Sequence, residues 1–283
     1  MKLGIFSFNT EYTMPAAELA VACEERGFES LWVPEHTHIP ASRETPWPAG
    51  GPLPKEYIHM SDPFSSLAAA AAVTEKILLG TGVSLVIEHE PLYQAKQVAT
   101  LARISNGRFL FGVGAGWIRE EMQNHGTPPN RRWQVFKEHI EAMKALWTQE
   151  EASYHGEFVN FDRVWSYPKP LTVPHPPIIL GSMSSKLGRQ RVADHCDGWL
   201  PIETLIDDWP AAVADLNERV EKAGRALGSI PISFFCIDTP DEQRLGRYRD
   251  MGAVRTAVRI PTEGREVILP FLDTYAEIAQ RLE

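Results

Sequence analysis

The octapeptide VPEHTHIP (33–40) holds two histidines one residue apart, with a glutamate directly before the first. In an extended segment His36 and His38 share one face, because side chains alternate across a strand with a period of two. A histidine titrates near neutrality and can both give and take a proton. His36 is therefore the first candidate for acid–base chemistry and His38 the second. Glu35 beside them either tunes His36 or faces solvent. The nine histidines as a set lack metal-ligand spacing, so no metal centre is expected.

Three further stretches combine glycine with the residue types that bind ligands. In LLGTGVSLV (78–86) two glycines end an apolar run. They mark a bulge, a tight bend or a close backbone approach by a ligand. In IILGSMSSKLG (178–188) an apolar run enters Gly181, then Ser182, Ser184 and Ser185, then a helical pattern. Backbone amides at a helix start, with hydroxyls beside them, make an anion site, while the competing reading is plain N-capping by serine. FLFGVGAGWIREE (109–121) resembles a dinucleotide loop, but its third fingerprint position is Trp117. An indole cannot replace the glycine that lets helix and strand pack closely. The stretch reads instead as a low rim, with Gly114 in a floor for a flat ring and Trp117 at the edge.

Residues so placed need a scaffold that brings loop ends together. Strand-like runs fall at 3–8, 30–33, 77–83, 109–113, 177–180, 198–200, 233–237 and 254–260. Helical patterns lie between and after them, at 16–26, 63–74, 91–105, 131–147, 185–193, 208–227, 242–251 and 267–281. Gly27, Gly107, Gly198 and Gly252 stand where helix C-terminal caps are expected. Near-continuous apolar strands fit a parallel sheet covered on both faces. Eight strands alternating with eight helices predict an α/β chain closed as a (β/α)8 TIM barrel; a doubly wound open sheet is the competing arrangement.

One domain is expected over 1–283, with a proline-rich loop excursion at 35–62 and an insertion at 148–176 before the fifth barrel strand. The insertion reads as a short hairpin plus an extended connector. Three strand exits, LWVPEH, GWLPIE and VRIPTE, deliver a proline and then polar groups. Those exits and both excursions lie on the side where barrel enzymes build their sites.

Bulk properties narrow the function classes. Lys and Arg number 28 against 37 Asp and Glu, a net charge of −9 that argues against nucleic-acid and anionic-membrane partners. Cys23, Cys196 and Cys236 are far apart and odd in number, which predicts free thiols and a reducing, cytoplasmic setting. The first apolar run, LGIFSF, is too short for a signal-peptide core. The longest, ILLGTGVSLVI (77–87), falls well short of a membrane span.

Five motifs then carry a family resemblance along nearly the whole chain: ERGFESLWVPEH (25–36), ILLGTGV (77–83), EPLYQAKQVATLARISNGRFLFGVGAGW (90–117), PPIILGS (176–182) and ADHCDGWLP (193–201). In this order they resemble the bacterial luciferase-like monooxygenase superfamily, in particular its deazaflavin (coenzyme F420)-dependent branch. The resemblance implies a barrel, usually dimeric, with the cofactor at the strand C-terminal ends. It implies a non-proline cis peptide at Gly82–Val83 backing the ring, with Ser84 beside it, and phosphate contacts at Gly181, Ser182, Met183 and Ser184. It also implies an acid–base role for His36, with Glu35 replacing the more usual Asp.

Two departures matter. Where one sugar-phosphate branch has a glutamate proton donor this chain has Trp117, and a lysine expected near PIETLIDDW (201–209) is absent. An anionic cofactor tail would need Arg119, Arg131, Arg132 or Lys186, residues that read equally well as solvated surface.

The expected function is an F420-dependent oxidoreductase acting on a small organic substrate walled by Trp117, Trp47, Tyr57 and possible contacts from His38. The alternatives are an FMN-dependent monooxygenase fed by a separate reductase and using dioxygen, and a flavin-binding protein without turnover.

Overall fold

A computed structural model describes residues 1–182 and 185–282, the Glu203 side chain excepted. The first half of the chain runs β1 (Lys2–Phe6), α1 (Ala16–Glu25), β2 (Ser30–Val33), α2 (Pro63–Ala72), β3 (Leu78–Thr81), β4 (Ser84–Leu85), α3 (Pro91–Ile104), β5 (Phe109–Gly114), α4 (Arg119–Asn124) and α5 (Arg132–Thr148). A hairpin follows, β6 (Ala152–His155) and β7 (Asn160–Val164). The second half is β8 (Ile178–Gly181), α6 (Lys186–His195), β9 (Gly198–Leu200), α7 (Trp209–Lys222), β10 (Ser233–Cys236), α8 (Glu242–Asp250), β11 (Arg255–Arg259) and α9 (Arg265–Leu282).

The parallel sheet runs in the order β10-β11-β1-β2-β3-β5-β8-β9, with β4 paired to β5. Between β9 and β10 only isolated bridges form, Trp199 with Ile232 and Ile202 with Phe235, so the barrel is nearly closed. Because both faces of each strand are covered, the apolar runs serve two cores. Ile5, Leu31, Leu79, Phe111, Leu180, Phe234 and Val258 pack outward under the helices. Phe6, Trp32, Leu110, Ile179, Leu200, Phe235 and Ala257 fill the interior. The third strand gives the interior a glycine, since a Cβ on Gly80 would sit 2.3 Å from the Trp32 ring. Among the described residues no helix is long and apolar enough to cross a membrane.

Helix ends follow local chemistry. Asp62, Ser185, Asp208 and Asp241 each accept an amide of the following turn, as does Glu90 before α3. Each such cap contributes about 1 kcal/mol. Gly27, Gly107 and Gly252 sit at φ +77°, +80° and +86° after their helices, as expected of C-terminal caps. Gly198 does not: it opens β9, where the Ile179 side chain would meet a Cβ at 3.2 Å.

Three other elements depart from the sequence reading. The short helix α4 was not anticipated as an element of its own. The seventh helix stops at Lys222, because Gly224 turns the chain at φ +74°. The third strand is interrupted, which shapes the site. The hairpin of β6 and β7 is antiparallel, as the insertion predicts, and rests on α5 through Glu138, which accepts the Phe158 and Val159 amides at 2.6 and 3.0 Å.

Candidate functional site

The predicted strand 77–83 ends at Thr81, the Gly82–Val83 peptide is cis, and the chain re-enters the sheet as β4 beside Val113 and Gly114. What redirects it is Glu35. Its Oε2 accepts the Leu85 amide and the Ser84 hydroxyl, both at 2.7 Å, and its Oε1 meets His89 Nε2 at 2.8 Å. Burial opposes charge on Glu35, but His89, Ser84 and the Leu85 amide outweigh it and hold the carboxyl below its ordinary range. Glu35 therefore does not face solvent: it is buried and accepts three hydrogen bonds from the β4 turn and His89. The Ser84 hydroxyl is buried between Glu35 and Gln94 Nε2, the latter at 3.0 Å, and supports the turn.

The glycine floor is also filled differently from expectation. A Cβ on Gly112 would lie 1.9 Å from the Thr81 carbonyl oxygen, and Cβ atoms on Gly114 and Gly181 would each lie 2.7 Å from a Val83 methyl. These glycines let neighbouring chain pack where a Cβ would otherwise stand. The surface left facing the mouth is Val83 itself, half-buried, with Gly82 beside it.

His36 stands on the wall above. Its Nδ1 donates to Glu121 Oε2 at 2.7 Å, and the two side chains are only 6 % and 1 % exposed. Trp117 meets the imidazole edge-on with centroids 5.9 Å apart, and Tyr57 lies 5.6 Å from it. Tyr57 in turn contacts Trp117 at 6.2 Å and Trp47 at 6.4 Å. Phe6, Phe8 and Phe235 line the floor, with centroids 5.2 Å apart for Phe6–Phe8 and 4.2 Å for Phe6–Phe235. Arg259 reaches this floor, lying 4.7 Å from the Phe8 ring centroid and pairing with Glu56 at 2.5 Å.

His38 is not brought to His36. The segment bends at Thr37, which breaks the two-residue alternation that would have aligned them. His38 is exposed and accepts from Asn124 Nδ2 at 2.9 Å, its ring 5.4 Å from His125. Two residues were missed by sequence reasoning, Glu121 and Glu88. Their available signals were the second glutamate of WIREE, just past the glycine-rich rim, and the first of the two acids in SLVIEHE. Burial, then Glu121 and Glu35, push Glu88 up to about 9.

At the opposite rim Gly181 and Ser182 are half-buried, and Ser182 Oγ accepts Trp199 Nε1 at 3.2 Å. Ser185 caps α6 by accepting the Gly188 amide at 3.0 Å, so for that serine the capping role is realised. Met183 and Ser184 lie outside the described residues. Of the four basic candidates, Arg131 is engaged by Glu157 at 2.7 Å and Arg132 lies over Trp133 at 6.0 Å, while Arg119 and Lys186 are exposed.

Glu120 ties the long loop to this rim, accepting the Glu44 and Thr45 amides at 2.9 and 3.0 Å and the Thr45 hydroxyl at 2.7 Å. Burial opposes its charge, but the Thr45 hydroxyl and the three amides hold the carboxyl at about 2. A lowered pKa means that the clamp acts above the ordinary 4.5 and is lost only as pH falls through about 2. Glu120→Ala should speed proteolysis within the 35–62 loop about tenfold at neutral pH while moving global stability by less than about 1 kcal/mol. Unchanged cleavage would show that the loop is held by other contacts.

Comparison with known proteins places this geometry. The model of the luciferase-like monooxygenase family matches residues 1–270. An uncharacterized protein of Mycobacterium tuberculosis is 37 % identical over 289 residues, 98 % of each chain. The F420-dependent glucose-6-phosphate dehydrogenase of Nakamurella multipartita is 30 % identical over 222 residues, 76 % of this chain and 60 % of that one. The FMNH2-dependent dimethylsulfone monooxygenase of Pseudomonas putida is 32 % identical over 181 residues, 62 % of this chain and 49 % of the other. A solved F420-dependent secondary alcohol dehydrogenase carrying an F420–acetone adduct superposes with a TM-score of 0.81 at 18 % identity, over 100 % of this chain and 99 % of that one, a likeness of fold. Matched along almost its whole length, and with oxidoreductases and monooxygenases among its relatives, the chain is an enzyme that belongs to the luciferase-like monooxygenase family.

Proposed function

We propose that the protein is an F420-dependent oxidoreductase that exchanges hydride with a small, largely apolar organic substrate. The observation that carries this reading is the His36–Glu121 pair set in an aromatic wall above half-exposed Val83. The residues present fit a tricyclic cofactor. Val83 offers an apolar backstop seated in Gly114 and Gly181, while Gly181 and Ser182 leave a polar, half-buried strand exit for a phosphate. When bound, a deazaflavin or reduced flavin supplies the electrons.

The chain's own residues handle the proton. With Nδ1 donating to Glu121, His36 is left to give or take a proton at Nε2, next to Trp117. Trp117, Tyr57 and Trp47 exclude water, and apolar Phe6, Phe8 and Phe235 favour a substrate with few charges. Arg259 supplies one fixed cation, already neutralised by Glu56, to orient an acceptor group.

An FMN-dependent monooxygenase remains the second reading, favoured by the dimethylsulfone enzyme among the relatives; it requires a separate reductase and dioxygen. In either case we take the enzyme to be a cytoplasmic homodimer. Titrating the purified protein with F420 and with FMN, oxidised and reduced, and following fluorescence quenching, separates the two. Micromolar preference for F420 is the expected result. Preference for reduced FMN would overturn it in favour of the monooxygenase.

A further inference from the structure

Glu88 is a buried acid that the mechanism above leaves unused. Its side chain is 0 % exposed, and neither carboxyl oxygen has a hydrogen-bond donor among the described residues. The neighbouring group whose charge acts on it most strongly is another acid, Glu121, which pushes it up. Glu121 Oε1 is likewise without a donor, while its Oε2 takes His36 Nδ1 at 2.7 Å. Two neighbouring carboxylates buried without donors cannot both stay ionised, since each loses its hydration and each repels the other. One proton resolves the conflict, because a protonated carboxyl donates and an ionised one accepts.

Among the described residues, no Lys or Arg is paired with Glu88, and the one histidine near it is disfavoured as a cation. From the exit of β2 comes Glu35, already satisfied by His89, Ser84 and the Leu85 amide. Beyond α4 lies His125, whose Nε2 is 3.8 Å from Glu88 Oε2 and bonds the Thr37 hydroxyl at 2.7 Å. Burial lowers the pKa of His125, and His38 adds to that, so its neutral form is favoured. From α5, His139 is engaged by the Val86 carbonyl at 2.8 Å. Met122 and Gly116 close the remaining side.

We infer that Glu88 and Glu121 share one proton held on Glu88, and that this acid pair positions His36. The Glu88 hydroxyl donates to Glu121, and Glu121 keeps the one negative charge that holds His36 Nδ1–H and leaves Nε2 for the mouth. When Nε2 takes a proton from a substrate, the imidazolium formed faces a carboxylate, and no proton leaves the pair. When Nε2 returns it, the neutral Nδ1–H form is restored. The catalytic consequence rests on the reading of His36 as the proton carrier; the shared proton does not.

The test therefore starts with cofactor-free protein. Its infrared spectrum at neutral pH should contain the carbonyl stretch of a buried carboxylic acid that shifts in heavy water, and Glu88→Gln should remove it. Linkage gives a second readout. A carboxyl raised from 4.5 to about 9 contributes stability that is complete below 4.5 and lost as pH rises through about 9. The unfolding curves of wild type and Glu88→Gln should diverge across that window by the weight of one proton. An acid band that survives Glu88→Gln, or parallel stability curves, would overturn the shared proton.

Positioning has its own readout. Glu88→Ala should change the ring-nitrogen NMR signals of His36 and lower kcat about tenfold or more, while Glu88→Gln, which keeps a donor toward Glu121, should restore both. Unchanged His36 signals in Glu88→Ala would overturn the positioning role. If those signals move and turnover does not, even in His36→Ala, it is the proposed role of His36 that fails.

Discussion

Replacing His36 by alanine is expected to lower kcat by about 10²–10⁴-fold, the usual contribution of a positioned acid–base group. Cofactor affinity should change by no more than about threefold, so the loss would lie in turnover rather than binding. The physical reason is the pairing on the page: a histidine with one nitrogen fixed by a buried carboxylate at 2.7 Å presents the other in a single orientation. Alanine also strips Glu121 Oε2 of the His36 Nδ1–H donor, which adds a folding penalty of about 1–3 kcal/mol. His36→Asn, smaller but still polar, separates the two effects, because it should recover stability without recovering turnover. The measurement is kcat at saturating cofactor on any substrate the wild type converts. Retention of turnover in both variants would remove His36 from the chemistry.

Gly112→Ala should destabilise the fold by about 3 kcal/mol or more, at the upper end of overpacking effects. The added Cβ would lie 1.9 Å from the Thr81 carbonyl oxygen and 3.1 Å from its carbon, and backbone cannot rotate out of the way as a side chain can. The same two strands are already tied by the Thr81 hydroxyl, which donates to the Gly112 carbonyl at 2.6 Å. Relief therefore requires shifting β5 against the interrupted third strand, and with it Val83. Gly246→Ala is the control. It lies inside α8 with nothing within 4 Å of its added Cβ, and it should stabilise by about 0.5–1 kcal/mol through helix propensity. Urea unfolding of the two variants checks both signs, and equal midpoints would show that the crowding at Gly112 is relaxed cheaply.

Much of this protein was legible in its sequence because the signals are local. Apolar runs such as 109–113 and 254–260 need only neighbouring residues to be read as buried strands. Asp62 before Pro63 and Gly107 after α3 announce helix ends through bonds within one turn. Alternation of the two element types was enough for the barrel, and five ordered motifs were enough for the family. His36 stood out as a candidate for the same reason, as a histidine at a strand exit.

Tertiary structure decided the partners. That Glu35 turns from its neighbour to a loop 50 residues away, that His38 swings off toward Asn124, and that Ser84 is buried are long-range outcomes. They depend on which backbone amides remain unpaired where β3 breaks, a quantity with no local signature. The glycines at 112, 114 and 181 could be read as gaps but not as gaps filled by Thr81 and Val83. The joint burial of Glu88 and Glu121, 33 positions apart by number, is of the same kind. Sequence records each acid separately, and only the folded barrel withdraws both from water.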